Sequence, residues 1–215
     1  MSEDVKAFIF DLDGVITDTA EFHYKSWKKL ADEEGIPFDK ETNEKLRGVS
    51  RRKSLEIILA GRDVSEDGIE EMMARKNGYY QEYINTISSD DLLPGIEEIL
   101  NKLQEKGYKL AVASASKNAK PVIENLKITD LFETISDGYS VKKTKPAPDL
   151  FLHTADKMGV EPVYCVVVED AEAGIEAAIA ANMTSVGIGP RERVGKADYR
   201  YEQVKDIDLD EIIEG

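Results

Sequence analysis

The sequence predicts a doubly wound α/β fold: a parallel sheet with helices on both faces and an inserted α-helical cap. Three observations carry this expectation. Short, continuous apolar runs recur along the chain, amphipathic segments of helical period lie between them, and one long stretch after the first run breaks the alternation. A run without polar–apolar alternation is the pattern of a strand buried on both faces. Such strands, separated by helices, build βαβ units.

The first run is Ala7-Phe8-Ile9-Phe10, and it ends abruptly in Asp11-Leu12-Asp13-Gly14. From about Ala20 to Leu93 the pattern is helical, with Leu30, Leu46, Leu55, Ile58 and Leu59 forming apolar faces among many charged residues. Pro94-Gly95 punctuates the return to alternation. A helix is then expected over Ile96 to Lys106, a strand over Lys109 to Ala113 and a helix over Ala119 to Leu126. A further helix, Asp149 to Met158, precedes a strand at Tyr164 to Val168. The last pair is a helix from Ala171 to Ala181 and a strand from Thr184 to Ile188. The expected domains are a core segment 1–17, a helical cap 18–93 and the remaining core 94–215, hinged near Thr17-Asp18 and Leu92-Pro94. Helices packed directly on the sheet are the alternative.

At 215 residues the chain fits one domain, or one domain with an insertion. A net charge of −15 argues against a basic nucleic-acid footprint and against an anionic membrane surface as partner. The single cysteine, Cys165, excludes an intrachain disulfide and a multi-thiolate metal site, and suits a reducing compartment. The first residues carry acids where a signal peptide needs bases, and no apolar run reaches the roughly 20 residues of a membrane span. A cytoplasmic monomer is expected.

In open α/β sheets, ligands bind beyond the carboxyl ends of the strands. Polar residues follow the expected strands in just this way: Asp11 and Asp13 after the first, Ser114 and Ser116 after the second, Glu169-Asp170 after the third. Lys145 precedes the helix near Pro148-Asp149. Two residues apart on a chain leaving a strand, Asp11 and Asp13 can point the same way. Gathering Glu169 and Asp170 at the same place is costly, roughly 4 kcal/mol per charge pair at about 4 Å in an effective dielectric near 20. Such an oxygen cluster calls for a hard divalent cation such as Mg²⁺. With the metal and Lys145 in place, phosphate is the natural anion, and a carboxylate attacking phosphorus forms an acyl phosphate. Taken alone, Asp-x-Asp-Gly is commonly a turn, and Asp170 before Ala171 could be a helix N-cap.

Asp11-Leu12-Asp13-Gly14-Val15, Ser114-Ala115-Ser116, Lys145-Pro146 and Glu169-Asp170 resemble the four motifs of the haloacid dehalogenase superfamily of phosphotransferases. Asp13 to Glu21, Gly48-Val49-Ser50-Arg51 with Ser54-Leu55, and Ser114 to Asn118 resemble its β-phosphoglucomutase family more narrowly. The resemblance implies that Asp11 is the nucleophile and Asp13 the general acid and base. It implies an Mg²⁺ site of Asp11, Glu169, Asp170 and the Asp13 backbone carbonyl, with Ser114 and Lys145 holding the transferring phosphoryl group. Gly48, Val49, Arg51 and Ser54 in the cap, with Ser116, Lys117 and Asn118 on the core, would bind a sugar and its second phosphate. His23 falls near the hinge beside Asp13, as in similar enzymes. Trp27 either packs at that hinge or stacks on sugar, and Lys76 is either a solvated helix residue or a group reaching substrate. Departures are Arg47 where lysine is frequent, Thr144 where glycine is frequent, and an unfamiliar segment from Gly138 to Thr144.

The implied activity interconverts β-D-glucose 1-phosphate and β-D-glucose 6-phosphate through an aspartyl phosphate and β-glucose 1,6-bisphosphate. A sugar-phosphate phosphatase using the same machinery is the first alternative. A catalytically silent phosphosugar-binding protein is the second.

Overall fold

The computed structural model describes residues 5–46 and 49–214. Its centre is a six-stranded sheet in the order β3-β2-β1-β4-β5-β6, with every neighbouring pair parallel. The strands are β1 (Ala7–Phe10), β2 (Lys109–Ala113), β3 (Thr134–Ser136), β4 (Cys165–Glu169), β5 (Thr184–Ile188) and β6 (Tyr199–Tyr201). The four long apolar runs are the four inner strands. The edge strands β3 and β6 were not expected: at three residues each, they have no readable period.

Side chains alternate across the pleat, so each inner strand serves two cores. Phe8 and Phe10 of β1 join Leu110, Val112, Val166 and Val168 on one face, under α5 (Ile96–Glu105) and α6 (Ala119–Asn125). Ala7 and Ile9 join Ala111, Ala113, Cys165 and Val167 on the other, under α7 (Asp149–Met158) and α8 (Glu172–Ala180). This double burial is why the runs show no alternation. Two short helices complete the core, α9 (Arg191–Val194) and α10 (Leu209–Glu214).

Between β1 and α5 lie α1 (Ala20–Glu33), α2 (Lys40–Glu44), α3 (Arg51–Leu59) and α4 (Glu66–Ile84). Side-chain oxygens of Asp39, Ser50 and Ser65 cap the starts of α2, α3 and α4 by accepting the N–H groups of Thr42, Lys53 and Gly68. Trp27, Leu30, Phe38, Leu55, Ile58, Leu59 and Met72 form a third hydrophobic cluster away from the sheet. The far end of α4 differs, since Tyr80 and Ile84 pack into the sheet cluster. The two chain passages between helices and sheet run side by side: Thr17 bridges to Leu92, its hydroxyl donates to Asp91 O at 2.7 Å, and Leu93 N–H donates to Ile16 O at 2.9 Å. We propose that this third core is a cap domain spanning 18–93, hinged where those passages meet. Among the described residues, no helix is long and apolar enough to cross a membrane.

The strand order changes direction at β1, with β2 on one side and β4 on the other. Register aligns Phe10 with Val112 and with Val168. The residues that follow these three therefore emerge together at one edge, in the crevice where ligands of such sheets bind.

Candidate active site

Asp11 leaves β1 with its N–H still donating to Val168 O at 2.9 Å. Its carboxylate meets Lys145, whose Nζ donates to Asp11 Oδ1 at 2.5 Å, to Glu169 Oε1 at 2.5 Å and to Ala113 O at 3.0 Å. The Lys145 side chain is wholly buried. Burial alone would lower its pKa, but Asp11 and Glu169 overcome that and hold it above the ordinary lysine value. Burial pushes Asp11 well above the usual carboxylate range; Lys145 opposes the shift, and Glu169, Asp13 and Asp170 reinforce it. A single lysine does not balance this many carboxylates.

Asp11, Glu169 and Asp170 place one ligand atom each within 4.8 Å of one another, and all three residues are buried. An all-oxygen set with excess negative charge fits a hard divalent cation. The loop holds Asp170 close against the turn after Asp13. Gly14 has φ +85°, and a Cβ there would lie 2.4 Å from Asp170 Oδ2, so only glycine fits. Glu169 is fixed at both oxygens, since Oε2 accepts the Ala171 N–H at 2.9 Å. Arg193 Nη2 lies 3.8 Å from Asp170 Oδ2. The N-cap of α8 is Ala171 in extended conformation, so the alternative of Asp170 as a helix cap falls away, and its carboxylate belongs to the cluster.

Asp13 sits above this group in a separate network. Its Oδ1 accepts the Thr19 hydroxyl, and Thr19 in turn accepts the Tyr80 hydroxyl at 2.9 Å. His23 Nε2 lies 3.9 Å from Asp13 Oδ2, and the ring stacks on Tyr80 at 4.1 Å between centroids. Lys76 Nζ stands 2.8 Å from His23 Nδ1; with the lysine as donor, the ring's Nε2–H faces Asp13. Burial lowers the His23 pKa well below its usual value, helped by Lys76 and Arg51. Burial also raises the Asp13 carboxyl, against the Thr19 hydrogen bond. A carboxyl moved toward neutrality is suited to giving and taking protons.

These groups open onto one cavity of ≈ 850 Å³, mouth included. The core contributes Asp11, Asp13, Ser114, Ser116, Lys117 and Asp170 to its wall, and the inserted segment contributes His23, Trp27, Val49, Arg51, Ser54 and Lys76. Gly48 and Arg47 lie outside the described residues. Lys145 and Glu169 stand behind Asp11 as its counter-charge and neighbour. Ser114 and Ser116 shape the loop after β2, each hydroxyl accepting the N–H two residues on, at 3.1 and 3.2 Å. Trp27 is buried with its ring 5.0 Å from Lys76 Nζ, so it packs on the lysine while edging the cavity. The unfamiliar loop is tied down: Gly138 N–H donates to Ser116 O at 3.1 Å, and the Tyr139 ring lies 4.6 Å from Lys117 Nζ.

A family model described as haloacid dehalogenase-like hydrolase matches residues 8–188, spanning every strand from β1 to β5 and each residue of the cluster. The chain belongs to that family. Within this haloacid dehalogenase-like family, a β-phosphoglucomutase from Bacillus subtilis (strain 168) is 44% identical over 210 residues, covering 96% of this chain and 93% of the relative. The crystal structure of a β-phosphoglucomutase from Clostridium difficile superposes with a TM-score of 0.94 at 43% identity, covering 98% of this chain and 96% of that one. A phosphorylated carbohydrates phosphatase from Thermotoga maritima is 28% identical over 185 residues, covering 85% of this chain and 84% of the relative.

Several residues around the cavity have no role that the sequence motifs assign. Thr19 and Tyr80 complete the Asp13 network, Asn43 and Leu46 line the cavity, and Asn77 joins Arg51 to Asn118. On a helix rich in polar residues, Asn77 and Tyr80 look like their solvated neighbours.

Proposed function

We propose that this haloacid dehalogenase-like protein is a β-phosphoglucomutase, an isomerase that interconverts β-D-glucose 1-phosphate and β-D-glucose 6-phosphate. The observation that carries the reading is a cavity whose wall combines the Asp11 carboxylate cluster with two further cations, Arg51 and Lys117. One end holds Asp11 above Lys145, beside Ser114; the other holds Arg51 and Lys117. A phosphatase needs the first end only, whereas a mutase must hold a bisphosphate by the phosphate that is not reacting. The near full-length similarity to the Bacillus relative supports the same reading.

In the first half-reaction, the sugar hydroxyl attacks the phosphoryl group carried on Asp11. The O–P bond to Asp11 breaks, a new O–P bond forms to the sugar, and the Asp13 carboxylate takes the hydroxyl proton. The resulting β-glucose 1,6-bisphosphate reorients. Asp11 then attacks the phosphorus at the other end, and Asp13 returns its proton to the departing sugar oxygen. Thr19 and His23 hold Asp13 in place for both transfers. Ser114 and Lys145 steady the transferring group. Val49, Ser54, Lys76 and Trp27 face the sugar, while Arg51, Ser116, Lys117 and Asn118 take the second phosphate. An arginine suits that task because its planar fork binds oxygens in pairs.

Asp11, Glu169 and Asp170 side chains, with the Asp13 carbonyl, would hold Mg²⁺. When bound, the ion supplies positive charge that offsets the clustered carboxylates and the phosphoryl oxygens. Closure of the cap over the core excludes water from the aspartyl phosphate. The same proposal places the protein as a monomer in the cytoplasm, where a reducing setting suits a chain with one buried cysteine.

The test is incubation with β-glucose 1-phosphate, Mg²⁺ and a trace of β-glucose 1,6-bisphosphate. Glucose 6-phosphate should accumulate. Stoichiometric free phosphate in its place would make the protein a phosphatase, as the Thermotoga relative is named.

A further inference from the structure

Asn77 has no part in the reaction as described, yet it meets the site from two sides. It stands on α4, directly after Lys76. Its carboxamide oxygen accepts Arg51 Nη2 at 2.7 Å, from the first residue of α3, and Asn118 Nδ2 at 2.9 Å, from the loop that opens α6. The insertion and the sheet core are thus joined through one oxygen atom at the end of the cavity that carries Arg51 and Lys117.

We propose that Asn77 is a positioning residue for the second phosphate, a neutral acceptor that locks Arg51 and Asn118 together and aims their remaining N–H groups at the ligand. A carboxamide oxygen has two lone pairs and can serve both donors at once. A guanidinium carries five N–H groups and a carboxamide two, so each partner spends only one here and keeps the rest for phosphate oxygens. Arg51 is mostly buried, and burial pulls its pKa down against the opposing pull of Tyr139 and Tyr80. A guanidinium in that position needs an acceptor while the cavity is empty, and Asn77 provides one. Arg51 then has less rotameric freedom to lose when the phosphate arrives.

Neutrality is the requirement that separates this role from simple structural support. A carboxylate at position 77 would hold the same two donors at least as firmly, since hydrogen bonds with an ionised partner are the stronger kind. It would also set a negative charge beside the incoming phosphate. Binding and stability should therefore respond in opposite directions to the same substitution.

The inference rests on the mutase reading, because it assumes that a phosphate occupies the Arg51 end. The experiment measures glucose 6-phosphate affinity by calorimetry, mutase kinetics and thermal unfolding for the full chain and for Asn77→Ala and Asn77→Asp. Asn77→Ala should weaken affinity about tenfold, the order expected for losing hydrogen bonds that orient a charged group, and raise KM more than it lowers kcat. Asn77→Asp should melt no lower than the Ala variant yet bind about a hundredfold more weakly than the parent, since like charges oppose each other there. Affinity closer to the parent for Asp than for Ala would overturn the proposal and leave Asn77 a structural strut. If Asn77→Ala does not fold, Asn77→Ser takes its place: Ser should bind more tightly than Asp, and equal affinities would overturn the proposal. Failure of the unmutated chain to bind or convert the sugar phosphate would instead overturn the mutase reading itself, before any variant is compared.

Discussion

Gly174→Ala separates helix propensity from the demands of the site. Gly174 lies inside α8, where alanine ordinarily stabilises a helix by about 1 kcal/mol relative to glycine. Here a Cβ would sit 1.9 Å from Glu169 Oε1, 2.0 Å from Cδ and 2.5 Å from Cγ. Carbon contacts are comfortable at about 3.5–4.0 Å, so the Glu169 carboxylate must move by about 1.5 Å or more. It has no slack. Oε1 is 2.5 Å from Lys145 Nζ, Oε2 is 2.9 Å from the Ala171 nitrogen, and the residue has no exposed surface. Displacing it breaks a buried ion pair, which costs about 3–5 kcal/mol. Less the helix gain, the net loss is about 2–4 kcal/mol, and at about 2–4 °C per kcal/mol for a chain of this size Tm should fall by roughly 4–16 °C. The assay is thermal unfolding, run beside Gly107→Ala as control. Gly107 has φ +83° and nothing within 4 Å of where a Cβ would stand, so that change should cost only backbone strain, about 1–3 kcal/mol, with turnover kept. A Gly174→Ala protein as stable as the parent, with metal-dependent turnover intact, would refute the argument that Gly174 makes room for Glu169.

Asp13→Asn should slow the chemical step by about 10²–10⁴-fold, the usual worth of a placed acid–base group, while substrate still binds; unchanged kcat in steady-state kinetics would assign the proton elsewhere. EDTA should stop turnover and Mg²⁺ restore it, with Asp170→Ala raising the Mg²⁺ concentration needed; full activity in chelator would remove the metal from the reading. Arg51→Ala should cut mutase turnover and weaken bisphosphate binding by about 2–5 kcal/mol, with a much smaller loss on acetyl phosphate, which has no second phosphate. Equal losses on both would make Arg51 a structural residue. Burial pushes the Cys165 thiol up to about 11, so thiolate is on the order of one part in a thousand at pH 8. Iodoacetamide should leave the native protein unlabelled at that pH and label it fully in urea.

The inner strands were legible because burial on both faces writes an unbroken apolar run, as in Ala7–Phe10 and in residues 165–168 of β4. The edge strands β3 and β6 were not, since three residues with one exposed side carry no comparable pattern. Asp11, Asp13, Ser114, Lys145, Glu169 and Asp170 stood out because each follows a strand or opens a helix in the order of a known motif. Asp170 reads as a member of the carboxylate cluster, with a helix cap as the alternative, and it lies in the cluster close against Gly14.

The sequence by itself determined the parallel sheet, the position of the insertion after β1 and the carboxylates at the strand ends, because these follow from local pattern and chain order. Tertiary structure alone brought in the partners of the site residues on the inserted helices. Asn77 meets Arg51 across 26 positions and Asn118 across 41, and Tyr80 reaches Thr19 across 61. No periodicity links such pairs. They come together because α4 packs one end into the cap's own cluster and the other against the sheet, carrying its polar face over Asp13.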